Sequence, residues 1–180
     1  AAAARPAVDR IGLATAGPIL DRQPQVAGLA VVKTEEALSL RRAGVKKPIL
    51  LMGRCGDEEA ETLVRAQVRL APFSEDAVEQ LVRVARRTGM RVRVHLYLDT
   101  GMGRMGLPVR RAPEWIAELA RRRAIQIDGA FTELTEDADF DRDQVGRLKE
   151  LGDRVRSRGV VLGLLHAASS AAVMHQPETH

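Results

Sequence analysis

From Val26 onward the chain repeats one pattern: a short apolar run, a turn, then an amphipathic stretch. The runs at Gly28–Val32 (GLAVV), Pro48–Met52 (PILLM), Val68–Leu70, Arg91–Leu98 (RVRVHLYL), Ile125–Phe131 and Val160–Leu165 (VVLGLL) read as strands. Between them Thr34–Ala43, Asp57–Arg65, Ser74–Arg87, Pro113–Arg123 and Asp141–Ser157 read as helices. Strands that alternate with helices across short loops select a parallel sheet, because parallel neighbours need a long return path. The expected class is α/β: a partial (β/α)8 TIM-type barrel of about six parallel strands alternating with helices. A closed barrel takes about 250 residues, so 180 residues fall about two units short of closure or form an open parallel sheet.

The local signals agree with this rhythm. Thr34 reads as an N-cap whose hydroxyl accepts an amide near Ala37, with Glu35 and Glu36 favourable in the first turn and Gly44 as the stop. Ser74, Glu75 and Asp76 open another helix in the same way. Residues 1–25 fit the pattern poorly. Ala1–Ala4 are low in complexity, and Pro6, Pro18 and Pro24 are expected to break any helix there. The expected organisation is therefore a poorly matching segment, 1–25, followed by an incomplete (β/α) barrel domain, 26–180, with both ends reading as cut.

Composition closes off several functions. Hydrophobic residues make up 45% and charged residues 29%, which suits a globular core rather than a disordered chain. No apolar run approaches the ~18 residues of a membrane span, and no signal peptide opens the chain, so a soluble cytoplasmic protein without membrane contact is expected. One cysteine, Cys55, forms no internal disulfide, and four scattered histidines give no metal-ligand spacing. The net charge is +4, but the 24 arginines are spread along helix-like stretches beside Asp and Glu. With only five aromatic residues for stacking, no nucleic-acid surface is expected.

Chemistry in parallel α/β folds collects at the carboxyl ends of strands. Two segments occupy such positions. Asp99–Gly106 (DTGMGRMG) packs three glycines and Arg104 behind a strand, a turn that can approach a ligand closely and offer it a guanidinium fork. His166–Ala172 (HAASSAA) leads small hydroxyl residues into a helix, where outward amides suit phosphate or an oxyanion. A plain loop and an ordinary serine cap are the alternatives for these two segments taken singly.

Taken together and in order, these stretches resemble the alanine racemase family. The matching segments are TEEALSLRRAGVKKPILLMG (Thr34–Gly53), VHLYLDTGMGRMG (Val94–Gly106), IDGAFTEL (Ile127–Leu134), FDRDQ (Phe140–Gln144) and HAASSAA. The resemblance implies a barrel that binds pyridoxal phosphate and interconverts L- and D-alanine for peptidoglycan precursors, as a cytoplasmic homodimer acting on a small amino-acid substrate. It implies that Arg104 donates to the cofactor's phenolic oxygen, that His166 lies under its ring and that Ser170 binds its phosphate. Ser169 joins that cofactor set but stands where the family usually has Asn. Glu133 stands where it usually has His, and Tyr97 where many members carry a carboxylated Lys supporting the arginine.

The family's covalent lysine sits in a VVKANAYGHG-like motif, which is not found. Val31-Val32-Lys33 copies three letters, yet the following residues place Lys33 in the turn after the family's second strand. Lys33 is a candidate on those letters alone, so no catalytic lysine is assigned. Counting back puts Arg5 near the motif position, and a guanidinium cannot form a Schiff base. The opposite-face base of the family is a tyrosine from a C-terminal domain, and Tyr97 sits on a different strand. The expectation is an amino-acid racemase family member inactive by itself, with a non-catalytic barrel module that binds a phosphate ligand or a protein partner as the alternative.

Overall fold

The computed structural model describes residues 8–167 together with Ser169 and Ala172; for residues 8–14 it describes the helical backbone alone. Two compact units divide the chain after Leu70. The first holds helix α1 (Val8–Asp21), strand β1 (Leu29–Val31), α2 (Thr34–Arg42), β2 (Ile49–Leu51), α3 (Asp57–Arg65) and β3 (Val68–Leu70). The strands run parallel in the order β1-β2-β3, with Leu29 beside Ile49 and Ile49 beside Val68. All three residues of β2 are buried, as a strand covered on both faces must be.

The expectation that Pro18 breaks the N-terminal segment is corrected: α1 runs through it. Pro18 falls in the helix's last turn, where a missing N–H removes one bond while the ring's fixed φ remains helical. Packing then outweighs propensity. At Gly17 a Cβ would stand 2.4 Å from Leu40 Cδ2, so glycine lets α1 lie against α2 without moving the Leu40 side chain. At the end of α1, Asp21 Oδ1 accepts the Lys46 and Lys47 amides at 3.0 and 2.7 Å. Pro6 and Ala1–Ala4 lie outside the described residues.

The cap of α2 is also corrected. Lys33, not Thr34, is the N-cap, and Thr34 is the buried first helical residue. The Glu36 carboxylate reaches back to accept the Val32 and Lys33 amides at 3.1 and 3.0 Å, and the Ala37 amide assigned to the threonine hydroxyl donates to the Lys33 carbonyl at 3.3 Å instead. At the other end Arg41 donates to four carbonyls, those of Ala66, Val45, Lys47 and Gln67, at 2.8–3.0 Å. Its fork thereby ties the α2–β2 and α3–β3 loops together, and burial lowers its pKa.

The second unit contains α4 (Glu75–Thr88), β4 (Val92–Asp99), a two-residue β5 (Leu107–Pro108), α5 (Ala112–Ala120), β6 (Ile125–Thr132), α6 (Ala138–Arg156) and β7 (Leu164–Ala167). Here β4, β6 and β7 pair in parallel, and β5 extends the carboxyl end of β4. Ser74 Oγ accepts the Ala77 amide at 3.2 Å to start α4, and left-handed Gly89 ends it. Asp137 caps α6 through the Asp139 and Phe140 amides. Val92, Val94, Leu96 and Leu98 are fully buried along one face of β4. The last strand begins later than its apolar run suggests. Gly163, at φ 72°, passes so near the Asp128 carbonyl that a Cβ would sit 2.2 Å from it, and Val161 is exposed, so pairing starts at Leu164.

Candidate functional site

The second face of β4 carries the polar residues Arg93, His95, Tyr97 and Asp99. A bulge on β6 decides what they meet. Val94 pairs with Ile127 but His95 pairs with Gly129, so Asp128 is the extra residue. Its carboxylate takes Arg93 Nε at 2.7 Å. Beyond it Gly129 and Phe131 share the face of His95 and Tyr97, whereas Ile125 and Ile127 share the face of the buried aliphatics.

The bulge creates an aromatic row. Phe131 pairs with Tyr97 on one side and His166 on the other, and its ring stacks on both, with centroids 4.5 and 5.2 Å apart. One step down, Gly129 leaves the space through which His95 Nδ1 reaches His166 Nε2 at 2.8 Å. A Cβ at Gly129 would lie 2.7 Å from that nitrogen and 2.5 Å from the Leu164 carbonyl. One of the two ring nitrogens donates and the other accepts, which requires a neutral ring. Burial pushes the His166 pKa down and favours that state.

Above the row lies the DTGMGRMG loop. Asp99 Oδ1 accepts the Gly101 and Gly103 amides at 2.9 and 3.0 Å and thereby sets the turn. The glycines serve the loop itself: Gly101 has φ 148°, and a Cβ there would meet Phe140; Gly106 has φ 105°, and a Cβ would meet the Asp99 amide at 2.8 Å. Arg104 pairs through Nη2 with Glu133 Oε2, and the Tyr97 hydroxyl donates to the same oxygen at 2.5 Å. Burial, then the carboxylate, raises the Tyr97 pKa, while the hydrogen bond to Glu133 raises that of Arg104.

Helix α6 holds this assembly from behind. Fully buried Gln144 donates to the Glu133 carbonyl at 2.9 Å and to Thr100 Oγ1 at 3.2 Å, and accepts the Thr135 amide. Asp141 Oδ1 takes the Thr135 amide and hydroxyl, Thr100 and Thr132 join hydroxyls at 2.8 Å, and Arg147 donates to the Thr100 carbonyl at 2.6 Å. The loops after β4 and β6 are thus cross-braced.

Because β4, β6 and β7 are parallel, Arg104, Glu133 and Ser169 follow strand ends on one side of this sheet, with His166 on β7 beneath. Ser169 Oγ accepts the Ala172 amide at 3.2 Å. Ser170 and Arg5 lie outside the described residues. Lys33 belongs to the first unit as the exposed N-cap of α2. Cys55 has its thiol pushed up to about 11 by burial and by Glu59 and Asp57, so it is no thiolate at neutral pH. His95 and Arg147 escaped the sequence reading. The alternation of Arg93, His95, Tyr97 and Asp99 along β4 is the signal that could have found the first.

The arrangement offers a guanidinium, a pair of imidazoles in contact and a serine hydroxyl beside one parallel sheet. Comparison with known proteins shows the family. The family profile "Alanine racemase, N-terminal domain" matches residues 10–180. The chain belongs to the alanine racemase N-terminal domain family. The alanine racemase of Symbiobacterium thermophilum is 37% identical over 156 residues, 84% of this chain and 41% of that protein. That of Desulforamulus reducens is 34% identical over 157 residues, 84% of this chain and 42% of that protein. The alanine racemase structure from Clostridium difficile 630 superposes with TM-score 0.85 at 26% identity, covering 95% of this chain and 46% of that one. The α/β class and the partial (β/α)8 barrel expectation are therefore met, and the chain spans about two fifths of the length of these curated relatives. Among the described residues no helix is long and apolar enough to cross a membrane.

Proposed function

We propose that this chain is the cofactor-holding part of a pyridoxal phosphate-dependent alanine racemase. The observation that carries the reading is that Arg104 and Ser169 both follow carboxyl ends of strands in the parallel β4-β6-β7 sheet, with His166 on its last strand. The donor set fits the group. Arg104 would meet the phenolate, neutral His166 would lie under the ring without adding charge, and the Ser169 and Ser170 hydroxyls would meet the phosphate. When bound, pyridoxal phosphate supplies the electron sink that stabilises the carbanion formed as the substrate's α-proton leaves. The braced loops fix the donors in advance, which limits the ordering cost of binding.

Proton transfer needs a lysine, and none of the four fits. Lys33 caps α2, Lys47 Nζ donates to the Gln23 carbonyl at 2.5 Å, Lys46 lies in the same loop, and Lys149 is exposed on α6. The 180 residues by themselves are accordingly read as inactive. The wider reading is L- to D-alanine conversion for peptidoglycan in the cytoplasm, by a homodimer.

Equilibrium dialysis with pyridoxal phosphate tests the site. Binding is expected to weaken when Arg104→Ala or Ser170→Ala is introduced, with borohydride trapping no lysine stoichiometrically. Binding indifferent to both substitutions would sink the reading, and stoichiometric trapping at one lysine would overturn the inactivity.

A further inference from the structure

We propose that Glu133 is the positioning residue for Arg104: its carboxylate, held by the Tyr97 hydroxyl and carried on a braced backbone, sets where the guanidinium points. The proposal rests on the reading above for what Arg104 would meet, but its physical basis is independent. Arg104 belongs to a loop and its side chain is 60% exposed, so nothing in its own packing holds it. The Glu133 side chain is 27% exposed, and its Oε2 receives both the Arg104 guanidinium and the Tyr97 hydroxyl. Tyr97 is itself 4% exposed, stacked on Phe131 and held in the β4 ladder, which makes its hydroxyl a fixed point.

The backbone of Glu133 is fixed as well. Gln144 grips its carbonyl from α6, and its neighbour Thr132 ends the β6 ladder with a hydroxyl bond to Thr100. Thr100 belongs to the same loop as Arg104. One carboxylate oxygen therefore links a strand, a helix-braced turn and the arginine loop. An exposed ion pair between two free side chains contributes little, because both must be ordered to form it. Here one partner is ordered already, so only Arg104 is immobilised by the contact.

A role in orientation and a role in mere charge balance differ in sign. If Glu133 only neutralised Arg104, removing its charge would strengthen binding of an anion. If it orients Arg104, removal weakens binding although the site becomes more positive.

The test uses Glu133→Gln, with Glu133→Asp as the variant that keeps the charge should the first not fold. Phenylglyoxal labelling, resolved by peptide mass spectrometry, reads Arg104 against Arg93, which is held by Asp128. Because Tyr97 is the single tyrosine, ultraviolet titration reads its ionisation without interference. In Glu133→Gln, labelling of Arg104 is expected to rise roughly twofold or more with Arg93 unchanged, and tyrosinate to form at lower pH. Glu133→Asp is expected between wild type and Glu133→Gln. Unchanged Arg104 labelling and Tyr97 titration would overturn the anchor. Tighter pyridoxal phosphate binding by Glu133→Gln would overturn the orienting role. The first two readouts use no cofactor, so a wild-type chain that fails to bind pyridoxal phosphate sinks the functional reading and leaves the anchor standing.

Discussion

Gln144→Leu removes the polar centre of the α6 brace while keeping its volume close. Gln144 is fully buried and makes three contacts. Their losses are unequal. Thr100 Oγ1 keeps its bond to Thr132, and the Thr135 amide keeps Asp141 Oδ1 at 2.8 Å. The Glu133 carbonyl loses the Gln144 donor inside an apolar replacement, at a cost of ~1–3 kcal/mol, and the weakened pair adds ~1 kcal/mol. The total is about 2–4 kcal/mol. With a urea slope of roughly 2 kcal/mol per molar, the midpoint should fall by about 1–2 M. Trp115, the single tryptophan, lies on α5 in the same unit and reports the transition by fluorescence. A midpoint shift below about 0.5 M at unchanged slope would refute the brace.

Two further outcomes follow. Gly103→Ala meets open space and pays only for its φ of 71°, about 1–2 kcal/mol, whereas Gly106→Ala adds a 2.8 Å collision with the Asp99 backbone and should destabilise clearly more in the same urea assay; equal effects would refute the loop geometry. Burial holds the folded His166 pKa below the ordinary histidine value of about 6.5, so its contribution is complete above that pH and is lost as pH falls through the lowered folded value, because the unfolded chain takes the proton first. His166→Phe, which keeps a ring against Phe131, should flatten the fall in stability as pH drops below about 6.5, and an identical slope in both proteins would refute a buried neutral His166.

The strand–helix rhythm was readable because it is written in local chemistry: period, caps and short loops. The helix Asp57–Arg65 and strand Val68–Leu70 fall where their apolar spacing puts them. What escaped depended on contacts distant in sequence. Gly17 and Pro18 spell a broken helix until Leu40 and the Lys46–Lys47 amides are brought against them. The apolar run Val160–Leu165 spells a strand until Gly163 must pass the Asp128 carbonyl. The bulge at Asp128 is equally silent. Read at period two, Ile125, Ile127, Gly129 and Phe131 share a face; in the sheet the pairs are split, and the second pair joins His95 and Tyr97.

That split explains why the site's departures from its family make sense together rather than singly. By sequence, Tyr97 and Glu133 look like two losses, one removing a carboxylated lysine and the other a histidine. In the sheet the bulge sets Phe131 beside Tyr97, and Glu133, two residues beyond Phe131, brings its carboxylate to the Tyr97 hydroxyl and to Arg104. A negative charge therefore stands next to the arginine, carried by the residue just past β6. Glutamate beside an apolar side chain would lack its second donor, and tyrosine beside histidine would bring no anion to the guanidinium. The two positions act as one unit, so a double-mutant cycle on Tyr97→Phe and Glu133→Gln, read by Arg104 labelling, should be non-additive; additivity would show that the shared oxygen carries no coupling.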